Sequence, residues 1–386
     1  MAEQVGSLAE LGWLRLDSLG DDPLMRELLE LRESCARNFT RLMTAGRPDE
    51  AELTSTGQYG FTRDGDESAV ALREVRSHLV INQALPESHP LAFLVPTFYG
   101  DHLTIPGTEP WLADARRLHR VLDLLTLETM ERIEEHLGLS FGAIAGPMAM
   151  GERLLRFQWY PALPAGTDEV ALVDVDGGRI PVGGRLLADG GRRSRVVRVG
   201  PHRDMGHWTW QVHSTDSQLR FWDHRRQVPV PVPRGDWIYG NVCEFLEIEH
   251  PRLHTPIHWV DADGGSGDVD RMSISYFAHV RPGVSRQRLV WGVELYRRLA
   301  ALGYATDADV EHAARLVARR ADDPDLILAT LDWELANPAP VPGFAAGVSR
   351  YYRRRPGGGG APALRDRADA GSLRDPAAAQ RQPDPD

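Results

Sequence analysis

The middle of the chain, from residue 153 to about 280, is a succession of short apolar runs separated by clusters of Gly, Pro and Asp. The runs are rich in Val, Ile, Trp, Tyr and Phe, as in LLRFQWYP, HWTWQVHS and MSISYFAHV. β-Branched and aromatic residues favour strands, and the residues between the runs favour tight turns. So many strands at close spacing predict a β-sandwich or a barrel.

Helical patterns lie on both sides of this region. A long apolar pattern at helical spacing follows Pro23, and a second helix is predicted from about Trp111 to Leu137, where Gly138 would end it. Three more amphipathic segments follow Pro282. The first third is therefore predicted to be mostly helical, and helices return after the strands. Residues 353–386 contain no aromatic residue, and we expect a disordered tail there.

The chain shows no internal repeat, and we expect one domain over residues 1–352. Its parts would be a helical N-terminal part at 1–150, a β core at 151–283 and C-terminal helices at 284–352. The turn signals DGG and DGGRR predict an inserted hairpin between about 167 and 198. The role of that hairpin and the oligomeric state stay open at this level.

Composition limits the partners and the location. The formal net charge is −11, whereas nucleic-acid binders usually present a basic face, so no nucleic-acid partner is expected. The two cysteines, Cys35 and Cys243, are too few for a disulfide framework and suggest a reducing compartment. The N-terminus lacks a signal-peptide pattern, and no stretch approaches the roughly 18 apolar residues of a membrane span. We therefore expect a cytoplasmic protein with no membrane partner.

The first candidate for chemistry is a His-x-Asp pair. His202 and Asp204 lie two residues apart, so in a strand they point to the same side and could bind one metal ion. The pair alone is weak evidence in a chain with 14 histidines, where a surface pair at a strand end is the ordinary alternative. A third ligand would come from a distant strand. His258 begins an apolar strand, whereas His250 and His254 compete for this role from an irregular loop.

Two histidines and one carboxylate on one side of an octahedron leave three positions open, which is the arrangement of non-haem iron(II) oxygenases. A bidentate 2-oxo acid and then dioxygen can take those positions. Arg271 and Ser273 follow at strand spacing, and together they could bind a carboxylate through the guanidinium and the hydroxyl. An exposed Arg beside a half-buried Ser is the alternative interpretation.

Several longer segments follow a known pattern in the same order. HRDMGHWTWQ resembles His-Thr-Asp-x-Gly-x-x-Thr, HTPIHWV resembles Ser-x-x-His-Arg-Val, RMSISYFAHVRP resembles Arg-x-Ser-x-x-Tyr-Phe, and LLRFQWYP resembles Arg-x-Asn-x-Tyr-Pro. Over residues 150–283 the chain thus resembles the isopenicillin N synthase family of iron(II)- and 2-oxoglutarate-dependent oxygenases. The resemblance implies a mainly β fold with flanking helices, built on a cupin-like double-stranded β-helix, or jelly roll, in a single oxygenase domain.

The resemblance also implies residue roles. The iron(II) ligands would be His202, Asp204 and His258. The far carboxylate of the co-substrate 2-oxoglutarate would be bound by Arg271 and Ser273, with a further hydrogen bond from Tyr160. Gln158 stands where the family usually has Asn. Dioxygen would be the second co-substrate.

A substrate pocket is suggested by strand parity and by the resemblance. Gln211 and His213 share one strand face, and they would touch substrate or co-substrate if that face points inward. Leu219, Val260 and Phe277 resemble family positions near substrate. Ordinary core packing is an equal alternative for each. The polar members favour a small polar substrate, such as an amino acid, a peptide or a natural-product intermediate.

Asp204 favours hydroxylation over halogenation, because related halogenases replace this carboxylate with a small residue so that chloride can bind iron. The expected reaction is oxidation of an unactivated C–H bond, by hydroxylation or by desaturation or cyclisation. A 2-oxoglutarate-independent iron oxidase or cyclase of the same fold is the main alternative. A non-catalytic barrel and a zinc enzyme are two others.

Overall fold

The structure, a computed structural model, describes most of the chain up to residue 280. The described residues are 8–17, 23–45, 60–62, 72–82, 88, 108–148, 151–175, 178–189, 192–235, 237–262, 266–280, 297, 306–308 and 310–311. Of the predicted helices at 284–352, the structure describes only residues 297, 306–308 and 310–311, and the rest lie outside the described residues. The predicted tail at 353–386 lies outside them entirely.

The two helices predicted before the β core are both present. The helices in the described part of the chain are α1 Leu8–Leu11, α2 Pro23–Ala45, α3 Glu109–Leu137, α4 Ala145–Met148 and α5 Glu244–Glu249. Helix α3 ends at Gly138, whose φ of 66° is the left-handed conformation that glycine adopts at little cost. No helix among the described residues is long and apolar enough to cross a membrane.

The strands follow the predicted runs closely. They are β1 Trp13–Asp17, β2 Gly60–Thr62, β3 Arg73–Glu74, β4 Ser77–Asn82, β5 Arg153–Tyr160, β6 Thr167–Val175, β7 Gly178–Asp189, β8 Arg192–Val197, β9 Val199–His202, β10 Trp208–Ser214, β11 Leu219–Asp223, β12 Val228–Pro231, β13 Trp237–Val242, β14 His258–Val260 and β15 Arg271–Ala278.

Two antiparallel sheets form the core. The large sheet has the strand order β1-β13-β10-β15-β5-β4-β2, and the small sheet has the order β12-β11-β14-β9. One buried apolar cluster joins their inner faces, with Tyr160 and Tyr239 from the large sheet and Leu219, Phe221 and Val260 from the small sheet. The predicted mainly β fold, with a jelly-roll core and flanking helices, is confirmed.

The outer face of the large sheet packs against α2 and α3. Trp208 and Trp210 of β10 are fully buried in this layer, and Nε1 of Trp210 donates to Oγ1 of Thr126 on α3 at 2.9 Å. Gly240 on the neighbouring strand makes room for both indoles, because a Cβ there would lie 2.3 Å from the ring of Trp208. Since alternate residues of a strand face opposite sides, Gln211 points inward.

The prediction of a mostly helical N-terminal part is incomplete. Strand β1 pairs with β13, and β4 pairs with β5, so both belong to the large sheet of the core. These strands are short and lie between helices, and their pairing partners are distant in sequence. Local periodicity therefore could not show that the N-terminal part completes the β core.

The predicted hairpin between 167 and 198 is part of a larger unit. Strands β6, β7 and β8 form an antiparallel sheet, and β3 pairs with β8 in parallel as its fourth strand. The third sheet thus connects the insertion to the N-terminal part. The remote partner β3 is only two residues long, which explains why the sequence pattern did not indicate it.

Candidate metal centre and carboxylate pocket

Strand pairing brings the two predicted histidine ligands together. His202 at the end of β9 is directly opposite His258 at the start of β14, and their ring centroids are 4.3 Å apart. Asp204 follows in the next loop, with Oδ1 at 3.5 Å from Nε2 of His202 and 3.6 Å from Nε2 of His258. The three possible ligand atoms lie within 4.8 Å of one another, which is compatible with one shared metal ion.

The surrounding groups orient the three side chains and shift their pKa values. Burial would lower the pKa of His202, but Asp204 outweighs it and raises that pKa above its ordinary value. Nδ1 of His202 lies 2.9 Å from the carbonyl oxygen of Gly200, and Nδ2 of Asn241 donates to Oδ2 of Asp204 at 3.3 Å. Burial would raise the pKa of Asp204, but His258 and His202 outweigh it and hold that pKa far below its ordinary value. Burial lowers the pKa of His258 to about 4. An ionised carboxylate and a neutral imidazole are the forms that bind metal.

The loop that carries Asp204 is held by the first turn of α5. The backbone N–H of Glu244 donates to the carbonyl of Asp204 at 3.0 Å, and that of Phe245 donates to the carbonyl of Gly206 at 2.9 Å. These are first-turn N–H groups, which have no acceptor inside their own helix. Gly206 has φ 147°, and a Cβ there would lie 2.7 Å from the ring of His279. The sequence pattern included Gly206, but it did not indicate the contacts with α5 or with His279.

The competing histidines are elsewhere. His250 caps the C-terminus of α5, and Nδ1 of His254 lies 3.8 Å from the carboxylate of Glu247. Within the described residues, the group of three or more possible ligands found close together consists of His202, Asp204 and His258. The choice of His258 over the loop histidines therefore agrees with the geometry, although its role as an iron ligand stays a prediction.

Arg271 and Ser273 lie on the inner face of β15, opposite β5. Arg271 pairs with Tyr160 in the strand register, and its guanidinium lies over the tyrosine ring, 4.6 Å from the ring centroid. The side chain is 2% exposed, and its Nη1 has no hydrogen-bond partner among the described residues. A buried guanidinium nitrogen without a partner is costly. The position therefore suits the binding of an anion.

Ser273 forms a hydrogen bond with Gln158, the residue that stands where the family usually has Asn. Its Oγ donates to Oε1 of Gln158 at 2.9 Å, and Oγ of Ser275 approaches the same oxygen at 3.4 Å. The O and N atoms of an amide side chain are assigned from such contacts. If the amide of Gln158 is turned over, its N–H donates to Ser273, and the serine O–H can point to an anion beside Arg271.

A cavity of about 230 Å³ opens beside these residues. Three of the predicted pocket residues line it, namely Gln211, His213 and Leu219, and so do Arg271 and Ser273. Two do not: Val260 packs opposite Leu219 in the inner apolar cluster, and Phe277 lies under the guanidinium of Arg156 at 4.9 Å. A larger open cleft of about 530 Å³ runs along α3 and is lined by none of the predicted site residues. Of these two cavities, the smaller one is therefore the cavity lined by predicted site residues, although His202, Asp204 and His258 are not part of its lining.

The mouth of the cavity is charged. Nδ1 of His213 lies 3.6 Å from the carboxylate of Glu33, which is also 3.0 Å from the guanidinium of Arg32. Burial lowers the pKa of His213 to about 4, although Glu33 opposes this shift. Arg234 lines the same side. The contribution of α2 to this mouth was not predicted, because nothing in its helical pattern distinguishes Arg32 from other charged residues of the helix.

Comparisons with known proteins agree with this picture at the level of the fold. No protein-family model matches the sequence, and no curated protein matches it. A 2OG-Fe(II) oxygenase family protein from Caulobacter crescentus is 19% identical with a TM-score of 0.51, covering 72% of this chain and 81% of that chain. An oxygenase from Shewanella oneidensis is 18% identical with a TM-score of 0.51, covering 78% and 94%.

A third similar structure is a full-length Neurospora crassa protein in complex with alpha-KG and thymine. It is 15% identical with a TM-score of 0.51, covering 73% of this chain and 80% of that chain. At these identities the likeness shows a shared fold. The predicted resemblance to this group of oxygenases is thus confirmed for the fold, which the chain adopts over most of each neighbour's length.

Proposed function

We propose that this protein is a non-haem iron(II) dioxygenase that uses 2-oxoglutarate and dioxygen to oxidise an unactivated C–H bond of a small polar molecule. The observation that carries the proposal is the convergence of His202, Asp204 and His258, with the carboxylate 3.5 Å and 3.6 Å from the two imidazoles. The shared fold supports it, because those ligands occupy a jelly-roll core like that of the solved 2OG-Fe(II) oxygenases.

The residues fit the proposed metal and co-substrate. Two imidazoles and one carboxylate form the donor set that suits iron(II) with open positions for further ligands. The buried Nη1 of Arg271, which has no partner in the described part of the chain, fits the far carboxylate of 2-oxoglutarate. Bound iron(II) would couple the decarboxylation of 2-oxoglutarate to succinate and carbon dioxide with the transfer of one oxygen atom from dioxygen to the substrate.

The chain's own residues would orient the reactants. Arg271 and Ser273 would hold the far carboxylate, and the ring of Tyr160 supports the guanidinium from one side. His258 is buried and neutral at physiological pH, so it is ready to bind metal without losing a proton. Gln211, His213 and Leu219 would contact the small molecules from the cavity wall.

Hydroxylation is the reaction that we propose first, with desaturation and cyclisation as other outcomes of the same C–H attack. The solved complex of the Neurospora crassa protein with alpha-KG and thymine supports the co-substrate and a small polar substrate. Intermediates of natural-product biosynthesis are the first class to screen, with succinate release as the readout. A cytoplasmic location stays a prediction.

The test is the visible spectrum of the purified protein after anaerobic addition of iron(II) and 2-oxoglutarate. We expect a weak charge-transfer band that needs both additions and is lost in His258→Ala and Arg271→Leu. His254→Ala is the matched control, because His254 is a nearby loop histidine outside the metal centre, and it should keep the band. A folded, iron-loaded wild type without the band would refute the use of 2-oxoglutarate and leave the 2-oxoglutarate-independent oxidase as the leading candidate.

A further inference from the structure

The guanidinium of Arg271 is held on three sides by the protein. Nε donates to Oδ1 of Asp216 at 2.8 Å, Nη2 donates to Oγ of Ser214 at 2.9 Å, and the ring of Tyr160 lies against its flat face. The remaining nitrogen, Nη1, is buried and has no hydrogen-bond partner among the described residues. Arg271, Asp216 and Ser214 all line the 230 Å³ cavity. Nη1 is therefore the guanidinium nitrogen for which the described residues provide no acceptor.

Asp216 is the centre of this arrangement. Its Oδ1 accepts hydrogen bonds from Arg271, from Oγ of Ser214 at 3.2 Å and from the backbone N–H of Gln218 at 3.2 Å. Its Oδ2 accepts from Nη1 of Arg198 at 3.1 Å. Burial would raise the pKa of Asp216, but Arg271 and Arg198 outweigh it and keep that pKa below its ordinary value. Asp216 is therefore an ionised carboxylate between two arginines.

Arg198 extends the network to the turn that precedes β15. The residue is fully buried, and its Nη2 donates to the carbonyl oxygens of Ser266 at 2.6 Å and Val269 at 2.5 Å. Asp216 thus connects the start of β9, the β10–β11 loop and the turn before Arg271. The two guanidinium groups and one carboxylate carry a net charge of one positive unit, so the network remains attractive to an anion.

We propose that Asp216 is a positioning residue that holds Arg271 so that Nη1 meets the far carboxylate of 2-oxoglutarate; this rests on the proposed function. The opposing interpretation is that Asp216 competes with that carboxylate for Arg271. The geometry favours positioning, because Asp216 binds Nε and leaves Nη1 unoccupied. An arginine without such contacts can adopt many rotamers, and ordering it would reduce the affinity for the ligand.

The two interpretations predict opposite changes in the affinity for 2-oxoglutarate when Asp216 is replaced by Ala. The experiment measures the dissociation constants of 2-oxoglutarate and of 2-oxopentanoate, which has the same chain length but lacks the far carboxylate, on the iron(II)-loaded protein without oxygen. Positioning predicts that Asp216→Ala weakens 2-oxoglutarate binding by roughly tenfold, the value of one charge-assisted hydrogen bond, and leaves 2-oxopentanoate binding unchanged. Competition predicts tighter 2-oxoglutarate binding, and that result would overturn the proposal.

Asp223→Ala is the matched control. Asp223 is a buried aspartate at the end of β11, whereas Asp216 is half-buried, but both accept backbone N–H groups. Oδ1 of Asp223 accepts from Arg225 and Arg226 at 3.0 Å, away from the guanidinium of Arg271. Its substitution should leave the ratio of the two dissociation constants unchanged. An equal change of the ratio in both variants would mean a general structural effect and would refute the positioning role.

Ser214→Ala decides the question if Asp216→Ala does not fold. It removes the contact with Nη2 of Arg271 and two contacts with Asp216, one with the carboxylate and one with the backbone N–H. We expect a smaller loss of 2-oxoglutarate affinity, of about threefold, again without effect on 2-oxopentanoate. An unchanged ratio in a folded Ser214→Ala would contradict the proposal. A wild type that binds neither 2-oxo acid would instead refute the proposed function, so the two failures are distinguishable.

Discussion

His202 and His258 lie directly opposite each other on antiparallel strands, with 4.3 Å between their ring centroids, and Asp204 approaches both imidazoles from the next loop. The three side chains were predicted separately from a His-x-Asp pair and from a distant strand. Their convergence makes the centre a pre-formed site in the folded chain. Metal binding should therefore stabilise the native state with little rearrangement.

Removal of the metal should lower stability by mass action. With iron(II) at 100 times its dissociation constant, a ligand that binds only the folded state adds about 2.7 kcal/mol to the free energy of unfolding. We expect this gain in wild type and its loss in Asp204→Asn, measured by thermal unfolding with iron(II) and with a chelator under anaerobic conditions. His254→Ala should behave like wild type. Equal stabilisation of Asp204→Asn would show that iron binds elsewhere.

A carboxylate at position 158 should repel the co-substrate. Gln158 contacts Ser273 next to the proposed carboxylate site, and a like charge there opposes the binding of a dianion. We expect Gln158→Glu to raise the dissociation constant of 2-oxoglutarate at least tenfold, which corresponds to about 1.4 kcal/mol. Gln158→Asn should keep most of the affinity.

The same titration monitors the charge-transfer band of the iron(II)-loaded protein. Gln227→Glu serves as the control, since Gln227 is exposed in the β11–β12 turn, where it donates to the carbonyl of His224. The interpretation fails if Gln158→Glu and wild type bind 2-oxoglutarate equally well at neutral pH.

Acid should destabilise the protein partly through His119. This residue lies on α3 with its Nε2 3.2 Å from the carbonyl of Arg153, and burial lowers its pKa from 6.5 to about 4. Because the folded pKa is below the unfolded value, the unfolded chain binds the proton first as the pH falls below 6.5. Stability is therefore lost between pH 6.5 and about 4 and is unaffected by this group above pH 7.

His119→Gln keeps a donor for the carbonyl of Arg153 but does not titrate. When the pH falls from 7 to 5, we expect the free energy of unfolding of wild type to decrease by about 2 kcal/mol more than that of this variant. Urea unfolding at both pH values measures the difference. Other buried histidines contribute equally to both proteins and cancel in the comparison. Parallel pH profiles would show that His119 is not held neutral in the folded state.

Glycine at position 240 should be required for packing, although it is outside the site. A Cβ there would lie 2.3 Å from the ring of Trp208 and 2.5 Å from that of Trp210. Overpacking of this kind costs about 1–3 kcal/mol, so Gly240→Ala should unfold at lower urea concentration. At Gly138 an added Cβ would meet open space. Gly138→Ala should therefore lower the free energy of unfolding by only about 1 kcal/mol, because alanine is less stable than glycine in the left-handed conformation. Equal stability of Gly240→Ala and wild type would contradict the packing of the two indoles.

The strand periodicity of β5, β10 and β15 could be recognised from local residues, because alternation between two faces is a property of each strand alone. This is why it could be predicted that Gln211 lies on the same side as His213, and Arg271 on the same side as Ser273; all four line the smaller cavity. The positions of β1 and β4 in the large sheet were not predictable, since a short strand can be assigned to a sheet only when its pairing partner is known. The same holds for β3 and the third sheet.

Residue type and local spacing were sufficient to predict a β-sandwich or barrel, the helices α2 and α3 and the three candidate metal ligands. The jelly roll was implied by the resemblance to the isopenicillin N synthase family. Three-dimensional assembly was needed to show that Asp216 and Arg198 surround Arg271, that α5 holds the loop of Asp204, and that Val260 and Phe277 stay outside the cavity lining. Those relationships join segments that are distant along the chain. These contacts depend on how the sheets pack against each other, and a pattern of neighbouring residues does not determine that packing.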